Sequence, residues 1–329
     1  MPTEKKTVPD NTCADTQKKE AGIAPGGAKT KSGEKALSPA EKKRRKRLLL
    51  AAAALLLLSC FLSKYDLEVN NYVLSSRKLT APVRIVQLSD LHNSEFGRDN
   101  ERLVRLVAKQ QPDVILLTGD MINSKDPRTD IAARLIEQLA GIAPVYASYG
   151  NHEKLNEEIF GTRADEVYEK AGAHLLELEY KDIKVNGQKI RIGGIYGNCL
   201  PEEYLLTRET KRKDVEYLQK LQKNDRLTIL LSHVPTNWVK KVSLEGWEID
   251  CIFAGHAHGG QVRLPAIGGV YARGHGLLPG QMSGLYYSQN CERVLVLSRG
   301  LGSQSVVPRI NNVPEIVVVD MLPQMKAAD

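Results

Sequence analysis

Five apolar runs in the sequence are each followed by side chains that can bind a metal ion. The segments after these runs read SDLH, TGD, GNH, SHVP and GHAH. The runs have the composition of buried strands, and ligands of open α/β sheets bind at the carboxyl ends of the strands. We therefore expect these side chains to meet at one edge of a sheet. They are Asp90, His92, Asp120, Asn151, His152, His233, His256 and His258.

Histidine is concentrated in this set, which holds five of the seven histidines of the chain. A single histidine after a strand is more often a structural residue than a ligand, but five of them beside two aspartates and an asparagine favour a metal site. Imidazole and carboxylate ligands suit Mn, Fe or Zn rather than Ca or Mg alone. The set is too large for one tetrahedral ion and suits two ions that share a carboxylate. Such a pair can activate a bridging water and hold a phosphoryl group.

Alternating strands and helices are predicted around these segments. The candidate strands cover 84–90, 113–120, 144–152, 227–235, 250–258, 293–300 and 315–321, and a hairpin with an Asn-Gly turn covers 183–195. Amphipathic helices are predicted at 99–110 and 129–141. This order indicates an α/β domain with mixed sheets.

The five segments resemble a known family pattern. Taken in order as D-x-H, GD, GNH-E, H and GHxH across residues 90 to 258, they are similar to the calcineurin-like metallophosphoesterase superfamily. The runs AGHAHGGQVRLP, RGLG and PRINNVPEIVVV resemble a bacterial membrane-tethered branch, which includes exported phosphodiesterases and lipid A precursor diphosphatases. The resemblance extends from about residue 84 to residue 322 and does not cover the tail. It implies a two-sheet β-sandwich flanked by helices, a four-layer αββα fold.

The resemblance also implies a role for each site residue. The first metal would be bound by Asp90, His92 and His258, the second by Asn151, His233 and His256, and Asp120 would bridge the two. His152 would be the catalytic residue, contacting the phosphoryl group and able to protonate the leaving oxygen. Glu153 would either orient His152 or cap a helix at the surface.

These roles imply a phosphoesterase with two divalent ions, Mn²⁺, Fe²⁺/Fe³⁺ or Zn²⁺, and an apolar run near the N-terminus predicts that it is membrane-anchored. It would hydrolyse a phosphodiester or phosphate ester, lipid-linked or from the cell envelope, by in-line attack of a hydroxide that bridges the metals. One alternative is a diphosphatase of a nucleotide-linked lipid of the UDP-diacylglucosamine type. Another is a non-catalytic, membrane-bound metal-binding scaffold. Scaffolds of this kind usually lack one or more ligands, so the complete set favours an enzyme.

The N-terminal tail carries the net charge of the chain. Residues 1–47 hold 13 Lys or Arg and 6 Asp or Glu, while the remaining residues hold 33 of each. With few large apolar residues, the tail is expected to be a disordered basic cytoplasmic segment. The balanced charge of the rest argues against a nucleic-acid partner.

An apolar run follows the tail. KKRRKR at 42–47 precedes LLLAAAALLLLSCFL at 48–62, and a basic block before an apolar run is the positive-inside signature. We expect a transmembrane signal anchor at 48–64 and a catalytic domain at 65–329. The protein would be single-pass in the cell membrane, with that domain outside the cytoplasm. The run is shorter than the roughly 20 residues of a spanning helix, and the stretch ending at Cys60 resembles a lipoprotein cleavage box. The alternative is therefore a form lipid-anchored at Cys60.

Three features outside the five segments have more than one interpretation. Trp238 and Trp247 belong either to a helix packed on the core or to an apolar rim that meets the membrane. His174 is expected to be structural. The loop at 271–287, with Arg273 and His275, either overhangs the site or is a plain connection.

Overall fold

The structure, a computed structural model, describes residues 38–196, 213–236, 238, 243–272, 276–280, 282–303, 305 and 307–324. The chain divides into two units, Met1–Leu49 and Leu50–Asp329. The second unit contains all of the predicted site residues.

The N-terminal helix, α1 (Pro39–Tyr65), begins with a capping box. The Ser38 hydroxyl accepts a hydrogen bond from the amide of Glu41, whose carboxylate accepts one from the amide of Ser38. Proline at the first helical position has no amide hydrogen to leave unpaired. The helix therefore begins before the expected start at residue 48, and residues 39–47, expected to be disordered, are helical. In the described part of the chain, α1 is the one helix long and apolar enough to cross a membrane.

Six strands form the first sheet. They are β1 (Glu68–Ser76), β2 (Val83–Leu88), β3 (Val114–Leu117), β4 (Val145–Ser148), β5 (Ala173–Leu176) and β15 (Glu315–Pro323). Their order across the sheet is β1-β15-β2-β3-β4-β5. Strands β2 to β5 are parallel, whereas β15 is antiparallel to β2 and parallel to β1. The loops after β2, β3 and β4 therefore leave the same edge.

Six strands also form the second sheet. They are β6 (Glu179–Val185), β7 (Gln188–Ile195), β8 (Leu227–Ser232), β9 (Cys251–Ala254), β13 (Gly284–Tyr287) and β14 (Val294–Leu297). Their order is β13-β14-β9-β8-β7-β6, with β14, β9, β8 and β7 parallel. Strands β6 and β7 form the hairpin predicted from the Asn-Gly turn.

Helices cover the outer faces of the two sheets. Among the described residues, the other α-helices with defined bounds are α2 (Glu101–Lys109), α3 (Asp130–Ala140), α4 (Asn151–Phe160), α5 (Ala164–Lys170), α6 (Lys213–Leu221) and α7 (Ser243–Gly246). Apolar residues of α2, α3 and α5 pack on the first sheet and those of α6 on the second. A third apolar cluster, with Ile85 and Leu116 from one sheet and Ile229 and Phe253 from the other, fills the space between the sheets. The layers confirm the expected αββα sandwich.

Several elements have no counterpart among the sequence predictions. Strands β1, β5 and β13 extend the two sheets, and a third sheet contains β10 (Val262–Leu264), β11 (Gly268–Ala272) and β12 (Gly276–Leu277). Trp238 and Trp247 are buried in the cluster on the outer face of the second sheet. They therefore belong to the core, and the alternative of an apolar rim is wrong for these two residues.

Candidate metal centre

The loops that follow the strands of the two sheets are tied together at one edge. Gln87 lies near the end of β2 and donates hydrogen bonds to the Thr118 hydroxyl after β3 and to the carbonyl of Ala254 at the end of β9. Nδ1 of His233, which follows β8, lies 2.7 Å from the carbonyl oxygen of Thr118. These contacts bring the loops that carry the predicted ligands into one place.

A first group of ligand atoms belongs to Asp90, His92 and His258. One ligand atom from each lies within 4.8 Å of the others. The Nε2 atoms of the two histidines are 3.3 Å apart, and Nε2 of His258 is 3.5 Å from Oδ1 of Asp90. This group matches the predicted ligands of the first metal.

A second group belongs to Asp120, His233 and His256, again within 4.8 Å of one another. Oδ2 of Asp120 is 3.1 Å from Nε2 of His233. Nδ1 of His256 is 2.9 Å from the side-chain oxygen of Asn151, so the amide predicted as a ligand lies at the edge of this group.

Asp120 is close to both groups. Its Oδ2 is 3.8 Å from Nε2 of His92, which belongs to the first group, and His92, Asp120 and His152 form a further set of ligand atoms within 4.8 Å. Among the described residues, the predicted bridging carboxylate therefore lies between the two predicted metal positions.

The donor atoms fit divalent ions. Burial lowers the pKa of His92 to about 3 and, with the nearby Arg309, lowers that of His258 to about 3, so both rings are neutral at pH 7. Nδ1 of His258 lies 3.2 Å from the carbonyl oxygen of Gly302. Because a carbonyl oxygen can only accept, Nδ1 carries the ring hydrogen, and Nε2 keeps its lone pair for a metal ion. Two imidazole nitrogens that face each other at hydrogen-bond distance, beside a carboxylate, suit a shared cation.

Asp120 and His233 form a charged pair in the interior. Burial alone would lower the pKa of His233, but the carboxylate of Asp120 raises it to about 10. Burial opposes ionisation of Asp120, yet the surrounding imidazoles hold the pKa of that carboxyl well below its usual range. The positive charge on His233 compensates the buried carboxylate at the position predicted for a metal.

The backbone of the site lies in a region that most residues avoid. Asp90, His92, Asp120, His256 and His258 all have φ between 47° and 67°. The left-handed region costs a non-glycine residue about 1–2 kcal/mol. The surrounding hydrogen bonds hold these turns, and strain of this kind is typical of functional sites.

Two glycines allow the loops to approach the carboxylates. A Cβ atom on Gly150 would overlap the carboxylate of Asp120, and one on Gly255 would overlap the side chains of Ser89 and Asp90. Glycine is required here for close packing beside the ligands rather than only for a turn.

Glu153 holds the Asp120 loop in place. Its carboxylate is fully buried and accepts five hydrogen bonds, from the amides of Asp120, Met121, Ile122 and Gly150 and from the Tyr168 hydroxyl. The sequence suggested either an exposed helix cap or an orienting partner of His152. The contacts show that Glu153 does cap helix α4, through the amide of Gly150, but that it is buried rather than exposed. It also braces the loop that carries the predicted bridging carboxylate.

Replacement of Glu153 by glutamine is expected to lower kcat/KM about 10- to 100-fold, because a small displacement of a catalytic loop is costly. The glutamine side chain has one acceptor oxygen instead of two, and its NH₂ group would face backbone N–H groups that need an acceptor. We therefore also expect a loss of about 2 kcal/mol in unfolding free energy. Glu157→Gln on the same helix is the matched control, since the Glu157 carboxylate pairs with the surface cations Lys154 and Arg163. Equal effects of the two changes on activity and thermal unfolding would contradict the bracing role.

His152 lies beside the centre with one ring nitrogen already used. Its backbone amide donates to Oδ1 of Asp120 at 2.7 Å, and its Nδ1 accepts a hydrogen bond from the amide of Ser124 at 3.2 Å. A ring that accepts at Nδ1 carries its hydrogen on Nε2. That Nε2 is 3.9 Å from Oδ2 of Asp120, so the ring presents an N–H donor at the edge of the centre.

The segment before β15 supports His258, and the sequence assigned it no role. Arg309 is buried and donates to the carbonyl of Gly302, with its guanidinium 3.4 Å from Nδ1 of His258. Asn312 donates to the His258 carbonyl at 2.6 Å. The only signal in the sequence was the family-like run PRINNVPEIVVV, which contains both residues but does not show what they contact.

Two histidines, His174 and His275, lie outside the five ligand segments. His174 lies on β5, is exposed, and is 3.7 Å from a carboxylate oxygen of Glu169, away from the metal centre. Arg273 and His275 lie outside the described residues.

Comparison with known proteins places the chain among metallophosphoesterases. It is 27% identical over 257 residues to the uncharacterized metallophosphoesterase YkoQ of Bacillus subtilis. The aligned region covers 76% of this chain and 89% of that protein. It is 27% identical over 256 residues to the phosphodiesterase YaeI of Escherichia coli, in an alignment that covers 74% of this chain and 83% of that protein. A transmembrane protein with metallophosphoesterase domain from Danio rerio is 26% identical over 185 residues, in an alignment that covers 55% of this chain and 41% of that protein.

The family match covers the strands and loops that build the centre. Residues 83–260 match the calcineurin-like phosphoesterase family, and this region runs from the start of β2 to just beyond His258. It includes all of the predicted ligands and more than half of the chain. The chain belongs to the calcineurin-like phosphoesterase family.

Proposed function

We propose that the protein is a membrane-anchored phosphoesterase that holds two divalent ions, Mn²⁺, Fe²⁺/Fe³⁺ or Zn²⁺, between the loops of its two sheets. The observation that carries this proposal is the position of Asp120, within reach of both groups of ligand atoms. Asp90, His92 and His258 hold one ion, Asn151, His233 and His256 hold the other, and Asp120 contacts both.

The chemistry of this centre suits phosphoryl transfer. Two bound ions lower the pKa of a water molecule between them and neutralise charge on the phosphoryl oxygens. The chain itself positions the reaction, because its loops fix the ligands on both sides of Asp120.

His152 acts in this proposal as a hydrogen-bond donor to a phosphoryl oxygen. A proton on Nδ1 would face the hydrogen of the Ser124 amide, and the two would repel each other. In this proposal the ring therefore enters the reaction with a single proton, on Nε2. Giving up that proton would leave an imidazolate, which is a poor outcome for a general acid. Donation without transfer therefore fits the contacts better than protonation of the leaving oxygen.

Membrane anchoring is supported by α1 and by a relative that is named as a transmembrane protein. The basic block at 42–47 before the apolar run favours a cytoplasmic N-terminus and a catalytic domain outside the cytoplasm. A phosphodiester or phosphate ester of the cell envelope is then the first candidate substrate. A nucleotide-linked lipid diphosphate is the second candidate, because it would require a site that faces the cytosol.

The test of catalysis uses the full chain in detergent micelles with bis-p-nitrophenyl phosphate and Mn²⁺. We expect hydrolysis that is lost with a chelator. Two bound metals without hydrolysis would favour a narrow substrate, for which UDP-diacylglucosamine is the next probe. Bound metal without hydrolysis of either probe would favour the metal-binding scaffold, and absence of both metal and hydrolysis would contradict the proposal.

The predicted topology has a separate test. Protease added to intact spheroplasts should digest the domain that follows α1, because that domain is proposed to lie outside the cytoplasm. A cytoplasmic marker protein must remain intact in the same sample. A protected domain would contradict the orientation and favour the nucleotide-linked lipid as substrate.

A further inference from the structure

Large apolar side chains are exposed on and beside the small sheet of β10, β11 and β12. We refer to them as the apolar patch: Leu264, Ile267, Leu277, Leu278 and Val307, which are between 38% and 77% exposed. The first four belong to the sheet and its turns, which are joined by the pairing of β11 with both neighbours. Val307 is held beside the sheet because Gln261 donates to its carbonyl.

The apolar patch is adjacent to the metal centre in the chain and in space. The turn His258–Gly260 leads directly into β10, and it begins with a predicted metal ligand. The side chain of Arg263 on β10 reaches back to the Gly259 carbonyl at 2.8 Å. Whatever surface the patch contacts would therefore also lie close to the centre.

The end of α1 docks beside this sheet. The amide of Asn311 donates to the Ser59 hydroxyl at 2.8 Å, and the amide of Asn312 donates to the Ser63 hydroxyl at 3.0 Å. Ser63 is buried in this contact. The side chain of Asn311 also donates to the carbonyl of Arg263, which connects the helix to β10.

The position of this contact along α1 sets its depth relative to a bilayer. Ser59 lies three residues before Leu62, the last residue of the apolar run, and at 1.5 Å per residue this is about 5 Å inside the run. Phe61 and Leu62 are 59% and 40% exposed, so the helix keeps an apolar surface at this level. A helix that spans a membrane with this run would carry β10 to the interface.

The charge of the surrounding sequence is suited to a lipid surface. Between Cys251 and Pro314 there is one acidic residue, Glu292, and there are five arginines, although the chain has 39 acidic residues in all. A surface with few carboxylates avoids both their desolvation and their repulsion from anionic headgroups.

We propose that the apolar patch enters the headgroup and upper acyl region of the bilayer that α1 spans, so that the metal centre is held at the membrane surface. This rests on the proposed anchoring by α1 and adds a second, non-helical membrane contact. A phosphate ester carried by a membrane lipid would then reach the centre without leaving the bilayer.

The test measures fluorescence quenching in the full chain reconstituted into phosphatidylcholine nanodiscs with or without bromine on the acyl chains near the headgroup. The two native tryptophans, Trp238 and Trp247, are buried in the core and provide a constant background. Leu277→Trp reports on the patch, with Ile267→Trp as a second reporter if the first fails to fold. Leu56→Trp reports on α1.

Lys184→Trp is the matched control for an exposed position away from the membrane. Lys184 is on the hairpin of β6 and β7, whose turn residue Asn186 donates to Asp113, just before β3. This is the end of the first sheet opposite the metal centre. We expect brominated lipid to remove most of the added emission of Leu277→Trp and none of that of Lys184→Trp.

The outcomes separate this proposal from the anchoring. Quenching of Leu56→Trp without quenching of either patch reporter overturns the patch proposal and leaves the anchor intact. Equal quenching of the patch and Lys184→Trp also overturns it, since contact would then be nonspecific. Absence of quenching at Leu56→Trp overturns the anchoring itself, and with it the proposal that the patch enters the bilayer that α1 spans. Quenching at Leu56→Trp and at the patch, without quenching at Lys184→Trp, supports both.

Discussion

Asp120→Ala and Asp120→Asn are both expected to abolish phosphodiester hydrolysis and to reduce bound metal from two ions per chain to one or none. The carboxylate lies between the two ligand groups, with Oδ2 3.1 Å from Nε2 of His233 and 3.8 Å from Nε2 of His92. A neutral amide cannot hold two cations at once as a shared anion can. Loss of transition-state stabilisation by several kcal/mol corresponds to a decrease of at least about 10³-fold in kcat/KM.

Metal content by mass spectrometry and initial rates with bis-p-nitrophenyl phosphate measure the two effects of the Asp120 changes. Asp320→Asn is the matched control, because Asp320 on β15 pairs with Arg84 near the start of β2, at the end of the strand opposite the metal centre. That change should keep both metals and full activity, since an exposed ion pair contributes about 1 kcal/mol or less to stability. Asp120 variants that keep more than a few per cent of wild-type activity would show that the bridging assignment is wrong.

The sequence could place the candidate ligands at one sheet edge because its signal is local. Each ligand directly follows a buried strand, and parallel strands bring their carboxyl ends to one edge. Spacing along the chain therefore placed Asp90, Asp120 and His256 without knowledge of long-range contacts. The roles of individual ligands came from family resemblance, and the structure adds the distances between them.

The residues that support the ligands could not be predicted in the same way. Glu153 lies two residues after Asn151 in helix α4, yet three of its hydrogen-bond partners are amides more than thirty residues earlier in the chain. Arg309 lies 51 positions after His258, whose ring it approaches. Neither residue belongs to a periodic pattern, because each acts through a tertiary contact with a backbone group or a ring.

The fold predictions failed where strands were short or partly exposed. Strands β10 and β12 have only three and two residues, too few for an alternating pattern to be recognised. The start of α1 was predicted too late because composition favoured disorder in the basic block. The capping box formed by Ser38 and Glu41 was the local signal that a helix begins at Pro39.

His152→Ala is expected to lower kcat about 10²- to 10³-fold while two metals remain bound. The ring contributes an N–H donor at Nε2, fixed there because Nδ1 accepts from the Ser124 amide. A donor to a phosphoryl oxygen stabilises charge that is present whichever group leaves. The loss should therefore be similar for esters of p-nitrophenol and for alkyl phosphodiesters with poor leaving groups.

His152→Gln separates hydrogen-bond donation from proton transfer. The glutamine amide can place an N–H near the position of Nε2, so it should recover part of the activity lost in the alanine variant. Metal content and thermal unfolding of both variants serve as controls for folding. A loss confined to poor leaving groups, with no recovery by glutamine, would show that His152 protonates the leaving oxygen and that the tautomer set by Ser124 changes when substrate binds.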